Sequence, residues 1–152
     1  MNKFCKVILL CLVTLNVASC NKPEREIQAG RYGMMSDGTP QYAALVFIMS
    51  VYEDDNLDEA IKISTDKFGR LLKSYHTNRG VQRHILNLRL TEMTVEPVSG
   101  GFRGMTEFKQ EASVEVKIIG TYNNKKIVDL KTISLVKESG DWRISGVSNT
   151  VP

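Results

Sequence analysis

Few side chains in this chain of 152 residues have the type and spacing that chemistry needs. His76 and His84 stand eight positions apart across a Gly-containing break. A zinc site would need a third ligand, and no Asp, Glu or Cys lies near them at a recognisable spacing. His76 falls at the end of a helical pattern, where the helix dipole favours an imidazolium, so a structural role stands beside a catalytic one. Asp129 lies between Val128 and Leu130 in a strand pattern. Either it aims into the interior, where burial tunes carboxylates for acid–base work, or it faces solvent on the other side, beside Lys131. Trp142 is either the floor of a ligand pocket or a core residue. There is no phosphate-cradling Gly motif, no Gly-x-Ser-x-Gly elbow and no His-Glu-x-x-His. No catalytic residue is named by this pattern, and no metal or other cofactor is called for.

Charge is the less ordinary feature. Between Ile61 and Leu90 the basic residues are Lys62, Lys67, Arg70, Lys73, Arg79, Arg83 and Arg89, against Asp66 alone. Five acids precede them between Glu53 and Glu59. Lys67, Arg70 and Lys73 are spaced to share a helix flank, and Arg79 and Arg83 follow. These five form a candidate surface for an acidic protein partner or an anionic lipid. The alternative is a solvated face balanced by the acidic turn.

The first twenty residues say where the chain goes. Lys3 and Lys6 make a basic start, and Val7 to Leu15 make an apolar run that is too short to span a bilayer but suits a secretory signal. The small residues of Val17-Ala18-Ser19 run directly into Cys20. This resembles the lipobox of bacterial lipoproteins. The resemblance implies that the Cys20 sulfur forms a thioether to diacylglycerol, that cleavage falls between Ser19 and Cys20, and that the freed amine is acylated in turn. Two or three acyl chains anchor stably at about 0.8 kcal/mol per buried methylene. Cys5 and Cys11 would leave with the signal, so no thiol remains for a disulfide, metal or nucleophile. With Lys3 and Lys6 gone, 18 basic side chains face 17 acidic ones, and a nearly neutral domain has no general attraction for nucleic acid. In a Gram-negative host Asn21, which is not the Asp of the inner-membrane retention signal, implies an outer-membrane location facing the periplasm.

The rest is a tether and one domain. Residues 20–39 carry Pro23, Gly30, Gly33 and Gly38 without a period and would reach about 25 Å as a flexible chain; Met34-Met35 is either a docking spot there or simply brushes the domain surface. Thr39-Pro40 opens a helix through the run Tyr42 to Tyr52, apolar nearly all round and ended by Glu53-Asp54-Asp55. Asn56 and Glu59 suggest a capping box for a second helix burying Leu57, Ala60 and Ile61. Phe68, Leu71, Leu72 and Tyr75 make the stripe of a third. Gly80 interrupts, and Val81 to Ile85 add a turn. From Asn87 the period is two: Leu88 and Leu90, then Met93 and Val95, a loop over Pro97–Met105, and a strand burying Ala112, Val114, Val116 and Ile118. Asn123-Asn124 suits a hairpin turn. The next strand is expected to bury Val128 and Leu130, then Ile133 and Leu135, through a bulge near Thr132. A last strand carries Trp142 and Ile144.

Helices followed by a strand meander predict an α+β fold, with N-terminal helices on a curved, mostly antiparallel sheet of about four strands. The order of elements, the acidic turn Glu53 to Asp58 and the closing Gly140-x-Trp142-x-Ile144-x-x-Val147 resemble the nuclear transport factor 2-like superfamily, the cystatin-like α+β cone, over residues 40–152. That resemblance implies several roles. The superfamily holds lipoproteins, small-ligand binders, accessory subunits and cyclase- or isomerase-like enzymes with an Asp base and a Tyr or acid partner. No enzyme position carries over onto this sequence. The expected function is a lipid-anchored cell-envelope protein that binds a protein partner or small ligand without catalysis. The alternative is a small-molecule hydrolase, isomerase or cyclase with a buried acid–base pair. The oligomeric state stays open.

Overall fold

The structure is a computed structural model, and it describes residues 36, 38–103 and 110–150. The signal segment, Cys20, the tether as far as Met35 and the Gly104-Met105 end of the expected loop lie outside the described residues. Among the described residues no helix is long and apolar enough to cross a membrane.

Helix α1 runs Pro40–Glu53. Thr39 is its N-cap, its hydroxyl accepting from the Tyr42 N–H at 3.3 Å, and proline occupies the first turn where no N–H is missed. Ala44, Leu45, Phe47, Ile48, Ser50 and Val51 are buried, and no residue from Gln41 to Tyr52 is fully exposed. That follows from its position: α1 packs on all four strands and on two other helices. Side chains as fully buried as Phe47 and Ile48 each contribute about 1.5–3 kcal/mol.

Helix α2 is a short segment, Asp58–Lys62. The expected capping box does not form. Leu57 is the N-cap without a side-chain bond, the Asn56 side-chain oxygen (Oδ1) accepts from the Asp58 N–H at 2.9 Å, and Glu59 pairs forward with Lys62 at 3.4 Å. Helix α3, Asp66–Ser74, is capped by Thr65 and buries Phe68 and Leu72. The Phe68 ring meets Phe47 of α1 at 5.9 Å between centroids. Leu71 does not join them; it is 43% exposed, so the buried stripe of so short a helix is narrower than its pattern suggested.

Gly80 does not interrupt a helix but lies inside one. Helix α4 spans Asn78–His84 with Thr77 as N-cap. A β-carbon at residue 80 would stand 2.7 Å from the Tyr75 carbonyl oxygen, so glycine there lets α4 fold back closely on the end of α3.

The sheet has four antiparallel strands in sequence order: β1 Glu92–Arg103, β2 Glu111–Tyr122, β3 Lys125–Glu138 and β4 Asp141–Asn149. The expected loop from Pro97 is instead part of β1, which shifts register against β2 between Pro97 and Phe102. Leu88 and Leu90 do alternate with exposed Arg89, but in a stretch that precedes β1. Ala112, Val114, Val116 and Ile118 face the helices as expected.

The main correction concerns β3. Asn123 and Asn124 both have positive φ, 49° and 61°, and this two-residue turn sets Lys125 opposite Tyr122. From there β2 and β3 pair without a slip to Val136, so no bulge forms near Thr132. Val128 and Leu130 therefore stand on the outer face, 54% and 40% exposed, while Lys131, Ile133 and Leu135 are buried. The irregularity sits in β4, where pairing jumps from Ser134↔Gly146 to Leu135↔Ile144 and leaves Ser145 extra. Helices packed on an open four-stranded antiparallel sheet make the expected α+β fold.

Candidate functional site

Two clusters of charge stand out, and they lie on either side of one extended stretch. Leu88 is buried and its carbonyl accepts a hydrogen bond from the Tyr52 hydroxyl at 2.7 Å. Arg89, its neighbour, is exposed.

The inner cluster is built on β3. Because Asp129 and Lys131 are two residues apart, they share a face, and that face is the one toward the helices. The Lys131 ammonium meets an Asp129 carboxylate oxygen at 2.9 Å and donates to the Asn149 side-chain oxygen at 2.6 Å. Its side chain is 3% exposed, that of Asp129 33%. The other carboxylate oxygen accepts from the Leu130 N–H at 2.8 Å. Burial, with a smaller contribution from the Asp129 charge, holds the Tyr52 phenol well above its ordinary pKa. Of the two sequence alternatives for Asp129 the inward one holds, and Lys131 comes in with it. Trp142 is elsewhere. It pairs with Lys137, whose ammonium lies 5.8 Å from the indole centroid, at the opposite end of the sheet. Eight residues of β3 separate Lys137 from Asp129, about 27 Å at ~3.4 Å per residue. Asp129 and Trp142 therefore line no common pocket.

The outer cluster is built on α4. One side of that helix is locked to the C-terminal end of α1, whose last carbonyls have no helical partners. The Asn78 amide donates to the Asp54 carbonyl at 2.7 Å and the Ser50 carbonyl at 3.4 Å, and buried Gln82 donates to the Val51 carbonyl at 3.0 Å. Arg79 and Arg83, four residues apart on an exposed flank, are neighbours on the helix surface. After α4 the chain turns through Asn87, at φ 50°, and the Leu88 N–H bonds back to the Gln82 carbonyl at 2.9 Å. Arg89 thereby joins Arg79 and Arg83. Its guanidinium carbon lies 6.0 Å from the Tyr122 ring centroid, about the limit of a cation–π contact.

Together with Thr77, Gly80 and His84, the three arginines line an open cleft of about 300 Å³. The His84 ring is stacked on Tyr75, 5.3 Å between centroids and 11° from parallel. Among the described residues no carboxylate pairs with Arg79, Arg83 or Arg89.

Of the five residues expected to form one basic surface, the cleft takes only Arg79 and Arg83. Lys67, Arg70 and Lys73 are exposed on α3 and do not line it. Thr77, Gly80, His84 and Arg89 are cleft residues outside that expected surface, and the sequence pattern offers His84 only alongside His76 for a metal or catalytic role. Asn87, a residue type that tolerates the positive φ it adopts, is the local sequence sign of the turn there. His76 is exposed at φ 62° just past the end of α3 and does not approach the cleft. Among the described residues no group of three or more His, Cys, Asp or Glu is placed to hold a metal ion.

No family model and no curated protein sequence matches the chain. Among solved structures it is similar to RPA3114 of Rhodopseudomonas palustris, a SEC-C motif containing protein. The TM-score is 0.51 at 14% identity, over 77% of this chain and 83% of that one. It is also similar to a chain named Rd1NTF2_05 with a TM-score of 0.49 at 8% identity, over 70% of this chain and 93% of the other. At such identity the first likeness is one of fold alone, and a fold of this kind is compatible with ligand binding or with catalysis.

Proposed function

We propose that this chain is a lipid-anchored cell-envelope protein whose α+β domain binds an anionic protein partner or small ligand, without catalysis, at the arginine cleft. In a Gram-negative host it would sit on the outer membrane facing the periplasm. One observation carries the binding reading. Three guanidiniums meet at one cleft with no carboxylate paired to them among the described residues. Like charges gathered without compensation destabilise a fold, so their assembly calls for a partner that supplies the opposite charge. The anchor rests on the basic, apolar and small residues that lead to Cys20. Lys67, Arg70 and Lys73 do not line the cleft and stand outside the proposed binding surface.

The experiment is intact mass and native mass spectrometry on the protein extracted from its own membranes, beside Cys20→Ala and the double variant Arg79→Glu/Arg83→Glu. A mature chain starting at Cys20 with two or three acyl chains is expected, and Cys20→Ala should leave the membrane. The double variant should stay folded and anchored but lose what co-purifies with the wild type. Unchanged co-purification would remove the cleft as the binding surface. An unlipidated chain cleaved elsewhere would remove the anchor.

The catalytic alternative has the Asp129–Lys131 pair and Tyr52 in its favour, since these are titratable groups on the inner face. Yet both Asp129 oxygens are engaged and the Tyr52 hydroxyl is committed to Leu88. Those bonds, with the one from Lys131 to Asn149, support a structural role: they tie β3 to β4 and α1 to the stretch before β1.

A further inference from the structure

We infer that the arginine cleft is a site for a terminal phosphate ester, carried either by a lipid headgroup or by a free phosphorylated small molecule. The inference rests on the binding function proposed above and names its ligand class. Three features of the lining select the chemistry. First, Arg79, Arg83 and Arg89 present three planar donor forks from two chain segments, α4 and the stretch after it. A carboxylate offers three forks only two oxygens and one charge, whereas a terminal phosphate ester offers three free oxygens and close to two charges. Second, two neutral-capable donors stand beside the forks. The Thr77 oxygen already accepts from the Gly80 N–H at 3.1 Å, which leaves its O–H to donate outward. His84, held by its stack on Tyr75, adds a ring N–H. Third, a cleft of about 300 Å³ is at the lower bound of small-ligand sites. It has room for a phosphate and the first atoms esterified to it.

The backbone is adapted to the same end. Gly80 lines the cleft, and a β-carbon there would collide with the Tyr75 carbonyl oxygen at 2.7 Å. Glycine thus keeps the floor low between Arg79 and Arg83 and keeps Tyr75 in place beneath His84. The arginines are also fixed from behind. Asn78 and Gln82 tie α4 to the end of α1, and Leu88, buried next to Arg89, ties the third arginine to the core. A ligand therefore meets a cleft whose backbone is already set, which limits the ordering cost of binding.

The test uses the full mature chain in detergent or nanodiscs, titrated calorimetrically with glycerol 3-phosphate, and separately in flotation with phosphatidylcholine vesicles with and without phosphatidic acid. Acetate, sulfate and a single-stranded oligonucleotide serve as competitors. Saturable binding of glycerol 3-phosphate identifies a free phosphorylated molecule as ligand; binding only to phosphatidic acid vesicles identifies a headgroup. Either arm is expected to be weakened about tenfold or more by Arg83→Gln and by Arg89→Gln, because each removes a charge-assisted hydrogen bond. Lys73→Gln, on α3 outside the cleft, should change it less than about twofold.

The inference is overturned by no binding in either arm, by acetate competing as well as phosphate, or by Lys73→Gln costing as much as Arg83→Gln. The last would mean a diffuse positive field rather than a site. Preferred capture of the oligonucleotide would overturn it too. These failures are distinct from failure of the binding function itself. If native co-purification is lost in Arg79→Glu/Arg83→Glu while phosphate esters do not bind, the cleft binds something else.

Discussion

The two charged clusters of this domain are separated by one residue step, from Leu88 to Arg89, and they handle charge in opposite ways. On the inner side Lys131 is almost fully buried, and its charge is met by Asp129 and Asn149. On the outer side Arg79, Arg83 and Arg89 are exposed and unpaired among the described residues. Burying an unpaired ammonium costs several kcal/mol, on the order of its effective desolvation penalty, so the inner set must be complete for the domain to fold. Exposed guanidiniums stay hydrated and carry a much smaller penalty, so the outer set can remain incomplete until a ligand arrives. Under the proposed reading, satisfied charge serves the fold and unsatisfied charge serves binding.

The sharpest way to break that contrast is to uncouple the inner pair. Asp129→Ala leaves Lys131 with Asn149 alone and should lower unfolding stability by about 3 kcal/mol, near the lower bound for a broken buried pair because Asp129 is one-third exposed. Lys131→Met removes the buried charge itself and keeps the volume, so it should cost less than about 1.5 kcal/mol. Urea unfolding followed by circular dichroism would check both. Equal costs would mean that the pair is not the reason Lys131 is tolerated in the core.

Gly80→Ala comes next. The collision with the Tyr75 carbonyl must be relieved by moving backbone, and overpacking of that kind costs about 1–3 kcal/mol. Because the displaced corner carries His84 and both helix arginines, ligand binding should fall with stability. Thermal unfolding and calorimetry on one preparation would show whether they move together. If stability falls while binding is untouched, the α3–α4 corner does not shape the cleft.

Much of this was legible in the sequence, and the misreadings share one cause. The Thr39-Pro40 start of α1, the acidic stop after Tyr52, the strand from Ala112 and the Asn123-Asn124 turn are local signals, and each stands in the structure. The strand pattern alone puts Val128 and Leu130 inside, because apolar residues favour burial. The hairpin register decided otherwise and buried Lys131 instead. Register is a property of two strands, and no single-strand pattern contains it. The same holds for the cleft. Arg79 and Arg83 were visible as a helical pair, but Arg89 joins them only because the chain reverses at Asn87 and bonds back to Gln82. Leu71 was read from a helical stripe, and only the neighbours of α3 could show that its place has nothing to pack on.

Tyr52 connects the two regions and gives a smaller effect. Tyr52→Phe loses the bond to the Leu88 carbonyl and should cost about 1 kcal/mol at neutral pH. The alkaline limb is more informative. Folded Tyr52 keeps its proton above the ordinary phenol range, while in the unfolded chain the same group ionises near pH 10. Its contribution is therefore full below about pH 10 and is lost progressively above it, because the unfolded state then binds fewer protons than the folded one. Urea midpoints between about pH 9 and about pH 11 should fall more steeply for the wild type than for Tyr52→Phe. Parallel slopes would place the phenol in water rather than against Leu88 and Asp129.

The smallest change has the opposite sign and bears most directly on the outer cluster. Arg79 and Arg83 are like charges four apart on one helix face, an arrangement that costs about 0.2–0.5 kcal/mol. Arg79→Gln should therefore raise stability by a few tenths of a kcal/mol, about the worth of one such pair. Salt should shrink the difference, since exposed charges are screened over about 10 Å at 0.1 M ionic strength. Unfolding curves at low and high salt would read this directly. A loss of more than about 1 kcal/mol would sink the contrast, because surface positions away from structural features stay within about 0.5 kcal/mol. Under the proposed binding role, an arginine that weakens the helix it stands on is held there by the ligand it would meet.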